Sequence, residues 1–231
     1  MSASIVITAF IVVIISLIMV VLNRFIYKKT IGGSKAYYFW MVAAIFTFLG
    51  ATIAFIASFF IDPNKTELDG AEGFVAVIQL TFYLWGYYYI ALGALTLPAQ
   101  MKITSVNVER LFQFKHYVFF GIFIWSSVVS GLLVIIDQKI PVRMFYVPFF
   151  AISWLVGFFA MYPFYTTVKN YARYWIYMQL AFMFGFLANV FEIIAFFMLD
   201  SLIVFKPIFF SLMGIFLVLG FYKLGKDVRA F

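Results

Sequence analysis

The sequence predicts an all-α polytopic membrane protein, a single domain over 1–231 with seven transmembrane helices, and three observations carry that prediction. Of its residues 66% are apolar and 11% charged, with a mean hydropathy of +1.08, a composition far from that of soluble domains. Apolar runs of about 20 residues, the length a helix rising ~1.5 Å per residue needs to cross a bilayer, recur along the chain. In addition, Lys35 to Asp62 aligns without a gap onto Arg173 to Asp200.

The first run, at about 4–22, has no basic leader and no small-residue cleavage site, and Arg24, Lys28 and Lys29 follow it. It therefore reads as a retained anchor and not a cleaved signal. The second, at about 37–61, opens on aromatics and then places Ala43, Thr47, Gly50, Ala54 and Ala57 on one helical stripe. The third, at about 74–97, holds Gln79 and the consecutive Tyr87, Tyr88 and Tyr89, too deep for an interfacial aromatic belt. The fourth, at about 117–136, carries Ser126, Ser127, Ser130 and Gly131, a small face that permits close helix approach. Pro148 and Pro163 fall in the fifth, at about 144–166. The sixth, at about 175–199, repeats the stripe of the second as Ala181, Gly185, Ala188, Glu192 and Ala195. The seventh, at about 202–222, has Lys206 and Pro207 near its start.

Basic residues in short loops set the orientation. Arg24, Lys28, Lys29, Lys35, Lys102, Arg110, Lys115, Lys169, Arg173, Lys223, Lys226 and Arg229 all fall on one side of this topology. The opposite loops carry Asp62, Lys65, Glu67, Asp69, Glu72, Asp137, Lys139, Arg143 and Asp200. The N-terminus is thus expected outside and the C-terminus in the cytoplasm of a cell membrane, as a multi-pass protein. The triplet Asn64, Lys65, Thr66 is a glycosylation sequon on the expected outer face. The net charge of +7 is a topology signal spread over loops, so no nucleic-acid partner is implied.

The alignment of the second and sixth runs matches Ala43, Phe46, Phe48, Leu49, Ile56, Ala57, Phe59 and Asp62 with identical residues. It extends to the first and fifth runs through Ile14 on Ile152 and Tyr27 on Tyr165. With a shorter loop it also reaches the third and seventh, through Phe82 on Phe209, Leu92 on Leu219, Gly93 on Gly220 and Leu97 on Leu224. Two triplets separated by one helix enter the membrane in the same direction, so the expectation is two parallel three-helix repeats (about 4–97 and 144–222) joined by a linker helix (about 117–136). This 3+1+3 topology resembles the rhodopsin-like seven-helix bundle, including seven-helix sensor modules, and the SWEET-like sugar carriers. The carriers break corresponding helices with prolines, whereas here the first helix has none. Microbial rhodopsins place a retinal-linked lysine in the seventh helix opposite a carboxylate in the third; here Lys206 is near the outer end and the third helix offers Gln79.

Glu192 is the one acid on a helix-packing stripe, about 12 Å inside Asp200 by helical rise. A charge at mid-helix costs at least about 2.5 kcal/mol, so it needs a partner or water. Lys206 is at similar depth on the next helix, Asn189 is one turn away, and Gln79 and a hydroxyl such as that of Tyr87 can reach the same region. These residues are expected either to fix two helices through an ion pair or to line an outward-facing polar pocket for a small ligand. Successive acids toward the cytoplasm are missing, which disfavours a proton relay.

His116 is the only histidine and there is no cysteine. Two-histidine haem ligation, multi-histidine zinc centres and thiolate chemistry are therefore excluded. Gly32 and Gly33 lack the lysine and hydroxyl of a phosphate loop. No enzyme activity, metal or cofactor is expected. The functional expectation is a receptor-like or sensor-like module signalling through lateral helix contacts, with a non-catalytic subunit of a larger membrane complex and a small-solute carrier as the other readings. Expected partners are the lipid bilayer, a small ligand, and a membrane protein or second copy of the chain.

Overall fold

The computed structural model describes residues 3–29, 35–60, 70–135, 142–167, 172–198 and 204–227. These form seven α-helices and one 3-10 turn: α1 Ala3–Lys29, α2 Lys35–Ala57, α3 Gly70–Gln100, α4 Val108–Ile135, the turn Val142–Phe145, α5 Val147–Thr167, α6 Ala172–Phe197 and α7 Phe205–Asp227. Five are long and apolar enough to cross a membrane, namely α1, α2, α3, α6 and α7; in α5 the apolar stretch Val147–Pro163 is shorter.

Local chemistry explains where the helices stop. Asn107 caps α4, its Oδ1 accepting from the backbone of Glu109 at 2.9 Å and Arg110 at 3.2 Å. The end of α3 closes on Lys102 in the left-handed region (φ 57°), with Ile103 N donating to Pro98 O and Lys102 N to Ala99 O. The fifth helix starts at Val147, later than the apolar run suggested. Pro148 has no amide hydrogen and belongs in a first turn, while Val142–Phe145 tightens into a separate 3-10 turn ahead of it.

Consecutive helices joined by short connections pack side by side: α1 on α2, α2 on α3, α5 on α6 and α6 on α7. The circuit is closed by α3 on α5 and by α7 on α1, while α4 lies outside it against α3 and the 3-10 turn. The main apolar core draws Met19, Trp40, Leu97, Trp154, Met178, Phe182 and Phe221 from all six ring helices. It occupies the half of the bundle nearer the basic connections. A second cluster, with Trp85, Val129, Tyr146 and Phe150, seats α4 and the 3-10 turn on α3 and α5. There Thr81 donates to Ser126 at 2.7 Å. The small face of α4 is therefore divided: Ser126 is buried, while Ser127 and Gly131 are exposed.

Contacts of α2 with α3 have counterparts between α6 and α7 at the positions aligned in sequence. Phe46 meets Phe82 at 6.1 Å, and Phe184 meets Phe209 at 6.0 Å. Phe46 stacks on Tyr89 at 5.7 Å and Phe184 on Phe216 at 5.5 Å. Phe39 lies 6.0 Å from Tyr89, and Tyr177 lies 6.1 Å from Phe216. A Cβ added to Gly93 would strike the indole of Trp40; one added to Gly220 would strike Met178. The stripe on α6 is buried throughout, whereas on α2 Ala43 and Gly50 are buried and Thr47, Ala54 and Ala57 are half-buried.

Candidate functional site: a buried ion cluster

Glu192 lies little more than one turn inside the end of α6 at Phe197, about 8 Å by helical rise. It belongs to the α6 packing stripe and is only 2% exposed. Lys206, in the first turn of α7, places Nζ 2.7 Å from Glu192 Oε1 and donates to it. The same oxygen forms an ion pair with Nε of Arg143, from the 3-10 turn before α5. One carboxylate thus holds two cations from two other segments.

The fourth contributor is α3. The phenol of Tyr87 interacts electrostatically with both Arg143 and Glu192, and that of Tyr83, one turn away, with Arg143. The Tyr87 ring is fixed by Phe150 and Trp154, each at 5.0 Å, and by stacking on Tyr83. Asn189, fully buried one turn from Glu192, donates through Nδ2 to Gly185 O at 2.6 Å. Its Oδ1, like Glu192 Oε2, is buried with no hydrogen-bond partner among the described residues. The cluster carries a formal charge of +1, from two cations and one carboxylate, with two free acceptors beside it.

Of the residues singled out from sequence, Glu192, Lys206, Asn189 and Tyr87 come together. Gln79 is half-buried on α3, and among the described residues no hydrogen bond or ion pair joins it to Glu192. Its backbone carbonyl instead faces Gly50 of α2. Of the other two central tyrosines, Tyr89 stacks on Phe46, and Tyr88 buries a hydroxyl that has no hydrogen-bond partner among the described residues. The sequon residue Asn64 lies outside the described residues, as do Asp62 and Asp200. Sequence reasoning missed Arg143 and Tyr83. Arg143 was counted only as loop charge, although it begins an apolar segment on the side poor in basic residues; Tyr83 is spaced one turn from Tyr87.

Among the described residues no group of acids and histidines is placed to hold a metal ion. His116 is exposed on α4, near the basic end of the bundle. Comparison with protein-family models found no match, and neither curated proteins nor solved structures gave a significant one.

Proposed function

We propose that the chain is a receptor-like seven-helix membrane protein, with its N-terminus outside, in which a small ligand acts on the Glu192 cluster and the response spreads through lateral helix contacts. The observation that carries this reading is the buried cluster itself. It ties the turn before α5, α6 and α7 together with charge, where an apolar contact would serve stability as well or better. Buried ionisable groups in a membrane bundle are costly and are usually functional. Their distribution favours a site reached from one side: the other half of the ring is filled by Trp40, Trp154, Phe182 and Phe221. A carrier would need a route through that half.

The repeat reading belongs to the same proposal. It is supported by the paired contacts of α2 with α3 and of α6 with α7, and by the matching circuit of neighbours. The seven-span reading is supported by the length of α4, whose 28 residues extend about 42 Å, and by the apolar stretch of α5. For orientation, a cysteine introduced at Thr66 should react with an impermeant reagent from outside, and one at Lys169 should not; the reverse would overturn the topology.

The functional test is a native mass measurement on protein purified in mild detergent. A lone chain carrying a small molecule that Glu192→Gln loses is the expected result. A stoichiometric protein partner and no small molecule would instead make the chain a subunit of a larger complex. Solute exchange across a reconstituted bilayer would make it a carrier.

A further inference from the structure

The basic end of the bundle concentrates charge in a different way. Lys35 opens α2 and Lys115 lies two turns into α4, yet both ammonium groups sit over the ring of Phe112. Nζ of Lys115 is 3.4 Å from its centroid and Nζ of Lys35 is 5.3 Å away. Lys115 is also 5.6 Å from the ring of Tyr38, which itself touches Phe112 at 6.0 Å between centroids. Among the described residues neither lysine forms an ion pair. Burial among these rings holds the Lys115 ammonium below the usual lysine range.

Two cations brought onto one aromatic floor repel each other. Cation–π attraction holds each in place but leaves their charge uncompensated, and the N-terminal end of α2 adds partial positive charge beside Lys35. An anion with several acceptor oxygens satisfies both ammonium groups at once. The patch lies where α2 and α4 begin, and on α4 the neighbouring Phe114, Tyr117 and Phe120 are exposed. An apolar outward face continuing from a doubly basic patch matches the two parts of a phospholipid.

We propose that Lys35 and Lys115, floored by Phe112 and Tyr38, form a binding site for the headgroup phosphate of an anionic phospholipid, whose acyl chains follow the outward face of α4. The inference needs the bundle to sit in a bilayer and is independent of any ligand at Glu192.

The test is native mass spectrometry of the protein in detergent with added phosphatidylglycerol or phosphatidylcholine. Retention of phosphatidylglycerol over phosphatidylcholine is expected, falling about five-fold for each lysine removed in Lys35→Gln and Lys115→Gln. A control pair, Lys28→Gln with Arg110→Gln, removes the same charge from exposed positions at the same end and should leave retention unchanged. Equal loss in both pairs would reduce the effect to net charge and overturn the site, as would equal retention of the two lipids. Inorganic phosphate at millimolar concentration should not displace the lipid. Full displacement would make the patch a free-phosphate site and overturn the lipid assignment. Melting curves of all variants, expected to match the parent, exclude misfolding as the cause.

Discussion

Helices α2 and α6 meet their partners through the same register and differ most at one position. Both lay a stripe of small residues along a packing face, Ala43 to Ala57 on one and Ala181 to Ala195 on the other. Both send an aromatic, Phe46 or Phe184, against two rings of the following helix. Yet where α6 has Glu192, α2 has Ala54, and where α7 has Lys206, the aligned residue of α3 is Gln79. The α2 with α3 pair packs closely with no charge there, Gly50 resting against Tyr83, Phe82 and the Gln79 carbonyl. The carboxylate is thus an addition that the packing scheme itself does not require.

Removing one side of the addition should have the largest effect. Glu192→Ala leaves Lys206 and Arg143 without their shared carboxylate, and breaking a buried pair in this way typically costs about 3–5 kcal/mol. The double change Glu192→Leu with Lys206→Leu should regain most of that loss, because Arg143, 36% exposed along its side chain, can turn toward water. Detergent melting of the two variants checks this; equal destabilisation would mean that the charges are integral to the α6 with α7 contact.

Transplanting the pair sharpens the comparison from the other side. Ala54→Glu alone should destabilise by about 2.5–3.5 kcal/mol, the cost of an unpaired charge within an apolar helix. Adding Gln79→Lys should recover a large part if the two halves are equivalent. A double variant as unstable as Ala54→Glu would break the equivalence at this level.

Glycine contacts give a smaller, symmetrical effect. Gly93→Ala drives a methyl group into Trp40 and Gly220→Ala one into Met178, and overpacking of this kind costs about 1–3 kcal/mol. The Met178 side chain can bend more readily than the indole, so Gly220→Ala should fall at the lower end. Gly121→Ala, which meets nothing within 4 Å, should leave the melting temperature unchanged.

The smallest effect belongs to α4, which lies outside the circuit of the other six helices. Thr81→Val removes the donor to Ser126 and should cost about 1 kcal/mol, loosening α4 while the ion cluster is retained. Hydrogen exchange confined to α4 is the matching readout; protection lost equally at α6 and α7 would show that α4 is coupled to the cluster.

The seven helical segments were legible in the sequence because long apolar runs recur along it, five of them long and apolar enough to cross a membrane. Their starts were less so: α4 begins at Val108 and not at about 117, because Asn107 caps a polar first turn that hydropathy passes over. The pairing of Glu192 with Lys206 was legible too, since helical rise fixes depth and neighbouring helices in a short-looped bundle must touch. Tertiary structure alone decided the rest. Arg143 reaches Glu192 from a 3-10 turn packed on α3 and α5, and Gln79 turns its backbone to Gly50 because α2 approaches α3 so closely there. Lys35 and Lys115 share the Phe112 ring only because that side chain of α4 reaches the rings of Tyr38 and Phe39 at the start of α2. Depth along a helix is a one-dimensional quantity that the sequence encodes directly; azimuth around it depends on which neighbours the finished packing supplies.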